Sequence, residues 1–414
     1  MRVALLAVSL IMLSSVFPLV WARAEPKVLK VYSSFDDGSL EPGTLSYAID
    51  YIHKFPGRYV IVFESDLIVN ASSNKVLYLN PIRSFVEIEF RGNGHKIRVY
   101  DFFKSKPSGC TLDKVVLRVN TVIPASMGSV VKVSNLEIII DTNETDGYTS
   151  FISPLNIVAP VVILENITIR GRILGGDFYD NFAAIYTFGG ENFFRNILAD
   201  IYTSVPSSPH DFNANFFLDT PKTVFMENIT SLLVANGRVV GVYVGTPAKW
   251  GARKVELVNV SSLIRVEQGY YTFGVWIRNA RTAVAHVKVD VISNAPTVFG
   301  FVLTKVMQTD GEGFEVDIVR VIGADYVIGV KIEHSKFVNI RNIRVGIVKS
   351  SLRKAEMIYV KESSRVVVGN IEKTACTYPL KRCFRLHAML AICMLCFIAI
   401  SSINYFKEFK RILD

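Results

Sequence analysis

The sequence predicts an all-β fold: a right-handed parallel β-helix of about ten coils, with an N-terminal capping helix and one C-terminal transmembrane helix. Three observations predict it. An Asn followed by an aliphatic residue recurs about every thirty positions, at Asn135, Asn166, Asn196, Asn228, Asn259, Asn342 and Asn370. The apolar alternation around each Asn slips by one residue as it passes. An apolar run stands at each end of the chain. His286–Val287 and Asp317–Ile318 fill the long gap in the period, giving spacings of 31, 30, 32, 31, 27, 31, 25 and 28. A repeat of that length is a solenoid coil or a propeller blade.

Arg2, the apolar stretch Val3 to Val20 and the small-x-small triplet Ala22, Arg23, Ala24 form a secretory signal, residues 1–24. The competing reading is an uncleaved anchor. The ectodomain is then 25–372, with residues 25–100 as its cap and first coils. Thr44 is placed to cap a helix whose residues Leu45, Ala48, Ile49 and Ile52 share one face. That helix would cover the first strands, whose unpaired edge otherwise invites association.

The coils follow. Residues 224–233 (VFMENITSLL) and 255–264 (VELVNVSSLI) show apolar residues at period two before the Asn and again after it, one step out of phase. A sharp corner between two short strands produces that slip, and Asn suits it because it tolerates left-handed backbone angles. A second motif lies midway between corners: residues 241–244 (GVYV), 274–277 (GVWI), 300–303 (GFVL) and 329–332 (GVKI). Each coil thus holds about three short strands. No ten-residue helical stripe is present, which excludes an α-solenoid, and a four-stranded blade needs a longer repeat. The aligned Asn side chains are expected to form a ladder inside the corner.

The membrane end closes the chain. Residues 373–385 make a basic neck, and Leu386 to Phe406 is long and apolar enough to cross a bilayer. A buried core helix and a lipid-anchor signal are the other readings. Basic residues flank both sides of the run, so orientation comes from the signal: the ectodomain is extracellular and residues 407–414 are the cytoplasmic tail. Of the formal charge of +9, +6 lies at the two ends of the chain. Without the two ends, 38 Lys and Arg remain against 35 Asp and Glu. A balance near +3 excludes nucleic acid as the expected partner. Cys376 and Cys383 bracket six residues of the neck and either form a disulfide or stay as two thiols. Asn70 and Asn143 are the better glycosylation acceptors, since the sequons at Asn166, Asn228 and Asn259 coincide with corners.

Residues 36–49 (DDGSLEPGTLSYAI), 59–63 (YVIVF) and 90–97 (FRGNGHKI) together resemble the opening of pectate-lyase-like proteins. Residues 329–342 (GVKIEHSKFVNIRN) resemble the β-helix repeats of carbohydrate-binding and sugar-hydrolysing domains. The resemblance spans about residues 28–372 and implies a right-handed β-helix and a polysaccharide partner. It transfers no catalytic residue. The Trp-x-Asp-His segment and Arg motif of the lyases are not evident, and the Asp-pair and Gly-His-Gly motifs of polygalacturonases are absent.

Candidate sites therefore rest on local chemistry. Asp177 and Asp180, with His210 and Asp211 one coil later, are the acidic candidates, able to bind calcium or to divide acid and base roles. Their simpler reading is turn and cap chemistry. Trp250, Tyr270, Tyr271 and Trp276 are candidates for stacking on sugar rings, against a reading as core and edge packing. The expected function is a membrane-anchored surface β-helix that binds polysaccharide or envelope partners without catalysis and without an obligatory cofactor. The alternative is a tethered polysaccharide lyase or glycoside hydrolase.

Overall fold

The computed structural model describes residues 25–70, 85–100, 113–120, 128–142, 149–174, 179–206, 212–219, 222–245, 252–320, 325–348 and 354–374. The chain divides into two units, Met1–Lys373 and Thr374–Asp414, and all of the second but Thr374 lies outside the described residues. The signal at 1–24, the neck from Ala375 onward with Cys376 and Cys383, and the apolar run 386–406 also lie outside them. Among the described residues no helix is long and apolar enough to cross a membrane.

The described chain is an all-β parallel solenoid with almost no helix. Each strand that precedes a corner pairs with its counterpart one coil away. Val161–Ile173, for example, lies between Val130–Thr142 and Glu191–Pro206, parallel to both. A further column, beginning at Asp113–Asn120 and Thr149–Val158 and ending at Tyr326–Glu333 and Lys354–Lys361, closes each coil. The corners at 135, 166, 196, 228, 259, 286, 313, 342 and 370 bound about eight turns, against the ten expected. At about 4.8 Å per turn, this regular part is on the order of 40 Å long. The earlier strands Lys27–Val31, Arg58–Phe63 and Glu87–Arg91 continue the stack at the capped end.

At the cap, Leu45–Lys54 is helical, Thr44 Oγ1 accepts from the Tyr47 N–H at 3.1 Å, and Leu45, Ala48, Ile49 and Ile52 are buried. Asp36, itself buried, accepts from the Ser46 N–H and hydroxyl, both at 2.7 Å, and from the Gly38 N–H at 2.9 Å. Free donors at the helix start are thereby satisfied inside the protein.

Each corner has a physical cause. Glu165 pairs with Ser134 and Ile167 with Leu136, so Asn166 and Asn135 stand opposite each other at the bend. All seven corner Asn residues of the sequence period adopt φ between 51° and 56°. Val162, Leu164, Ile167 and Ile169 all point inward, and the bend explains the slip of phase. The carboxamides face solvent rather than the interior. They form a ladder on the outside, because an inward Asn would displace aliphatic core. Asn166 Nδ2 donates to Asn135 Oδ1 at 2.9 Å, Asn196 to Asn166 at 2.9 Å, Asn228 to Asn196 at 3.0 Å and Asn259 to Asn228 at 3.1 Å.

The backbone angle and the ladder can be separated at Asn228. Asn228→Gly loses the side-chain bonds and keeps easy access to positive φ. Asn228→Ala loses the bonds and adds a left-handed penalty of about 1–2 kcal/mol. Alanine is therefore expected to be the less stable replacement by about 1 kcal/mol, the reverse of their order in strands and helices. The urea midpoint at unchanged slope measures it.

The ladder breaks once. Register carries the corner from Asn259 to His286, then to Gly313, then to Asn342. Asp317 is not a corner. Gly313, at φ 70°, takes that place, and Asp317 lies four residues beyond it, opposite Asp290. Burial pushes the Asp290 carboxyl above its usual range. Lys288 opposes this, and the charges of Asp317 and Glu315 add to it. Burial likewise raises Asp317, opposed by Arg344. Protonation of either acid thus favours the folded chain. That contribution is complete below the unfolded carboxylate value of about 3.9 and is lost as pH rises through the raised folded value. Asp317→Asn is expected to melt above the wild type at pH 7, with the gap closing as the pH falls to about 4.

Candidate functional site

The break in the ladder coincides with a groove. On the strand that precedes each corner, two positions point outward and one between them points in. Register stacks Glu256, Ala283, Asp310 and Asn339 in one outward column, and Val258, Ala285, Glu312 and Arg341 in the other. Leu257, Val284, Gly311 and Ile340 form the inward column between them. The two alanines are smaller than their neighbours above and below, so the surface dips there. The result is an open cavity of about 400 Å³ lined by all these residues except Ile340. That volume lies within the range of small-molecule pockets. Gly311 is held to glycine from the core side, because a Cβ there would come within 2.5 Å of the buried Phe314 ring.

Polar groups line the groove on both sides of the alanine floor. Glu256 pairs with Lys254 at 2.8 Å. Asp310 accepts from Gln308 Nε2 at 3.3 Å. Gly313 offers no carboxamide to the corner below it, and Glu312 supplies one acceptor instead: its Oε1 takes the bond from Asn342 Nδ2 at 2.9 Å. Asn370 then donates to Asn342 at 3.0 Å, which resumes the ladder. His286 is exposed at its corner, and a Cβ on Gly313 would lie 3.0 Å from its Nδ1. The arrangement offers planar carboxylate, carboxamide and guanidinium groups around a shallow trough parallel to the coil stack. Such groups suit hydroxyl-rich ligands. Among the described residues no group of three or more His, Cys, Asp or Glu is placed to hold a metal ion.

The residues expected from sequence fall elsewhere. Asp177, His210, Asp211, Trp250 and Asn143 lie outside the described residues. Asp180 is on the strand Tyr179–Phe188 and Asn70 ends the strand Leu67–Asn70. Trp276 belongs to a second apolar cluster on the outer face of the closing column, with Phe217, Tyr243, Phe273 and Phe299. Its ring stacks on Phe273 at 4.8 Å, its edge meets Tyr243 at 5.2 Å, and its Nε1 donates to Thr304 Oγ1 at 3.2 Å. Phe217 and Tyr243 also stack, at 4.6 Å. These rings use their faces on one another, and Tyr243 and Phe273 are buried. Tyr270 and Tyr271, at 48% and 42% exposure, remain open to solvent.

No sequence motif marks the groove. Two signals bore on it: alanines at 283 and 285 where other coils carry larger outward residues, and the missing Asn at 286 and 313. The chain matches no family model, no curated protein and no solved structure.

Proposed function

We propose that this chain is a secreted, membrane-tethered β-solenoid of pectate-lyase-like build, right-handed, whose groove at the ladder break binds a polysaccharide chain without cleaving it. The observation that carries the reading is the alanine-floored trough bordered by Glu256, Asp310, Glu312, Asn339 and Arg341. Parallel crossovers are nearly always right-handed, which supports the hand. The leader at 1–24 and the apolar run 386–406 support delivery to the outer face of a membrane. Extracellular polysaccharide is then the ligand class that the groove would meet.

One observation favours cleavage as a second reading. Glu256 and Asp310 lie in one outward column on either side of Ala283. Two coil steps separate them, about 10 Å of backbone. Inverting glycosidases hold their two carboxyl groups about 6.5–9.5 Å apart. The experiment is to present the full-length protein, in detergent micelles, with a panel of neutral, acidic and amino polysaccharides, with and without calcium. The binding reading expects retention of at least one class with no new reducing ends and no unsaturated products. Turnover that is lost in Asp310→Asn would replace it with the hydrolase or lyase reading.

A further inference from the structure

We propose that the groove selects a chain of amine-bearing sugars over neutral or uronate chains, an inference that rests on the glycan-binding reading above. Three carboxylates line the trough against one guanidinium, that of Arg341. Glu256 is already neutralised by Lys254. Asp310 and Glu312 are not. Their hydrogen-bond partners, Gln308 and Asn342, are uncharged, and neither acid makes an ion pair among the described residues. They stand two residues apart on one strand, on the same outward face, beside the alanine floor.

The bond from Asn342 engages Oε1 of Glu312, so the carboxylate is oriented while its second oxygen stays available. A sugar chain laid along the coil stack rises by close to one pyranose per coil, since coils are about 4.8 Å apart. The sugar at the level of the next coil would then lie between Asp310, opposite Ala283, and Glu312, opposite Ala285, so that an ammonium on it has both carboxylates within one strand step. A uronate in the same place would bring like charges together, with the single cation at the far rim. Charge pairs of this exposure are individually modest, and the trough places two carboxylates at the level of one sugar.

The test is calorimetric titration of the full-length protein in detergent micelles with three hexasaccharides: glucosamine, N-acetylglucosamine and galacturonate. The glucosamine hexamer is expected to bind at least about tenfold tighter than the other two, with the preference shrinking in 0.5 M salt. The isosteric double variant Asp310→Asn/Glu312→Gln should bring the three within about twofold of one another. Equal or tighter binding of the acetylated or uronate hexamer would overturn the proposal and leave glycan binding intact. So would a preference that survives both high salt and the double variant. The salt series uses the unaltered protein, so the result does not hang on how the variant folds. Binding of none of the three would count against the proposal, and a panel-wide lack of retention would remove the glycan reading as well.

Discussion

Gly274→Val is expected to abolish the folded solenoid, and Gly274→Ala to lower its stability by about 3 kcal/mol. Gly274 is inward-facing, and a Cβ there would lie 2.1 Å from Val289 Cγ1 and 2.4 Å from the Gly300 carbonyl oxygen. The valine side chain could turn away. The carbonyl cannot, because it is main chain of the next coil, held between the paired residues Phe299 and Phe301. The same geometry recurs at Gly241, Gly300 and Gly329, each with a backbone oxygen of the adjoining coil within 2.7 Å of the added carbon. Strain at one coil is therefore handed to its neighbours, and relaxation at one position compresses the next. Gly369→Ala is the control. It lies in the last described coil with nothing within 4 Å of the new carbon, and its stability should be unchanged. Thermal melts of the three variants in micelles measure the difference.

Phe301→Ala is expected to cost about 4 kcal/mol. The Phe301 ring is fully buried and meets Phe314 edge-to-face at 5.0 Å across the interior. Its removal leaves a void in a stack whose coils are fixed by their ladders, so the walls cannot close on it. Phe301→Leu, which fills much of that volume, should recover more than half of the loss. In a double-mutant cycle with Phe314→Ala, the two losses should fall short of additive by about 1 kcal/mol, the size of an edge-to-face pair. Additive losses would mean that the rings are not energetically coupled.

The corner column was legible because one backbone requirement recurs and few residues meet it. At Asn166 and Asn228 the φ of 54° and 56° calls for a residue tolerant of left-handed angles, and the flanking aliphatics mark where the chain turns. The same logic misplaced one corner. Gly313 satisfies the angle without a carboxamide, whereas Asp317–Ile318 imitates the motif in mid-strand. The capping helix was legible for a similar local reason, Thr44 preceding a one-sided apolar pattern.

The groove was not legible, because it exists only in register. Glu256, Ala283, Asp310 and Asn339 are far apart in sequence and become neighbours when the coils stack. The aromatic residues failed as a guide for a related reason. Whether Trp276 offers its face to a sugar depends on whether Phe273 has already taken it, and periodicity carries no information about that. The outward direction of the Asn ladder belongs with these. The sequence marks a turn, and packing decides which side of the turn the side chain occupies.

The site assignment is tested most directly by one comparison of affinity on the full-length protein. It uses the oligosaccharide that binds best and two variants, Ala283→Trp and Tyr270→Ala/Tyr271→Ala. The indole would fill the trough between Glu256 and Asp310 without entering the core, because Ala283 points outward. Ala283→Trp is expected to weaken binding at least about tenfold with its melting temperature within a degree or two of the wild type. The tyrosine variant should bind as the wild type does. Undiminished binding by Ala283→Trp, or loss of binding with the two tyrosines, would contradict the assignment and move the ligand to the aromatic face.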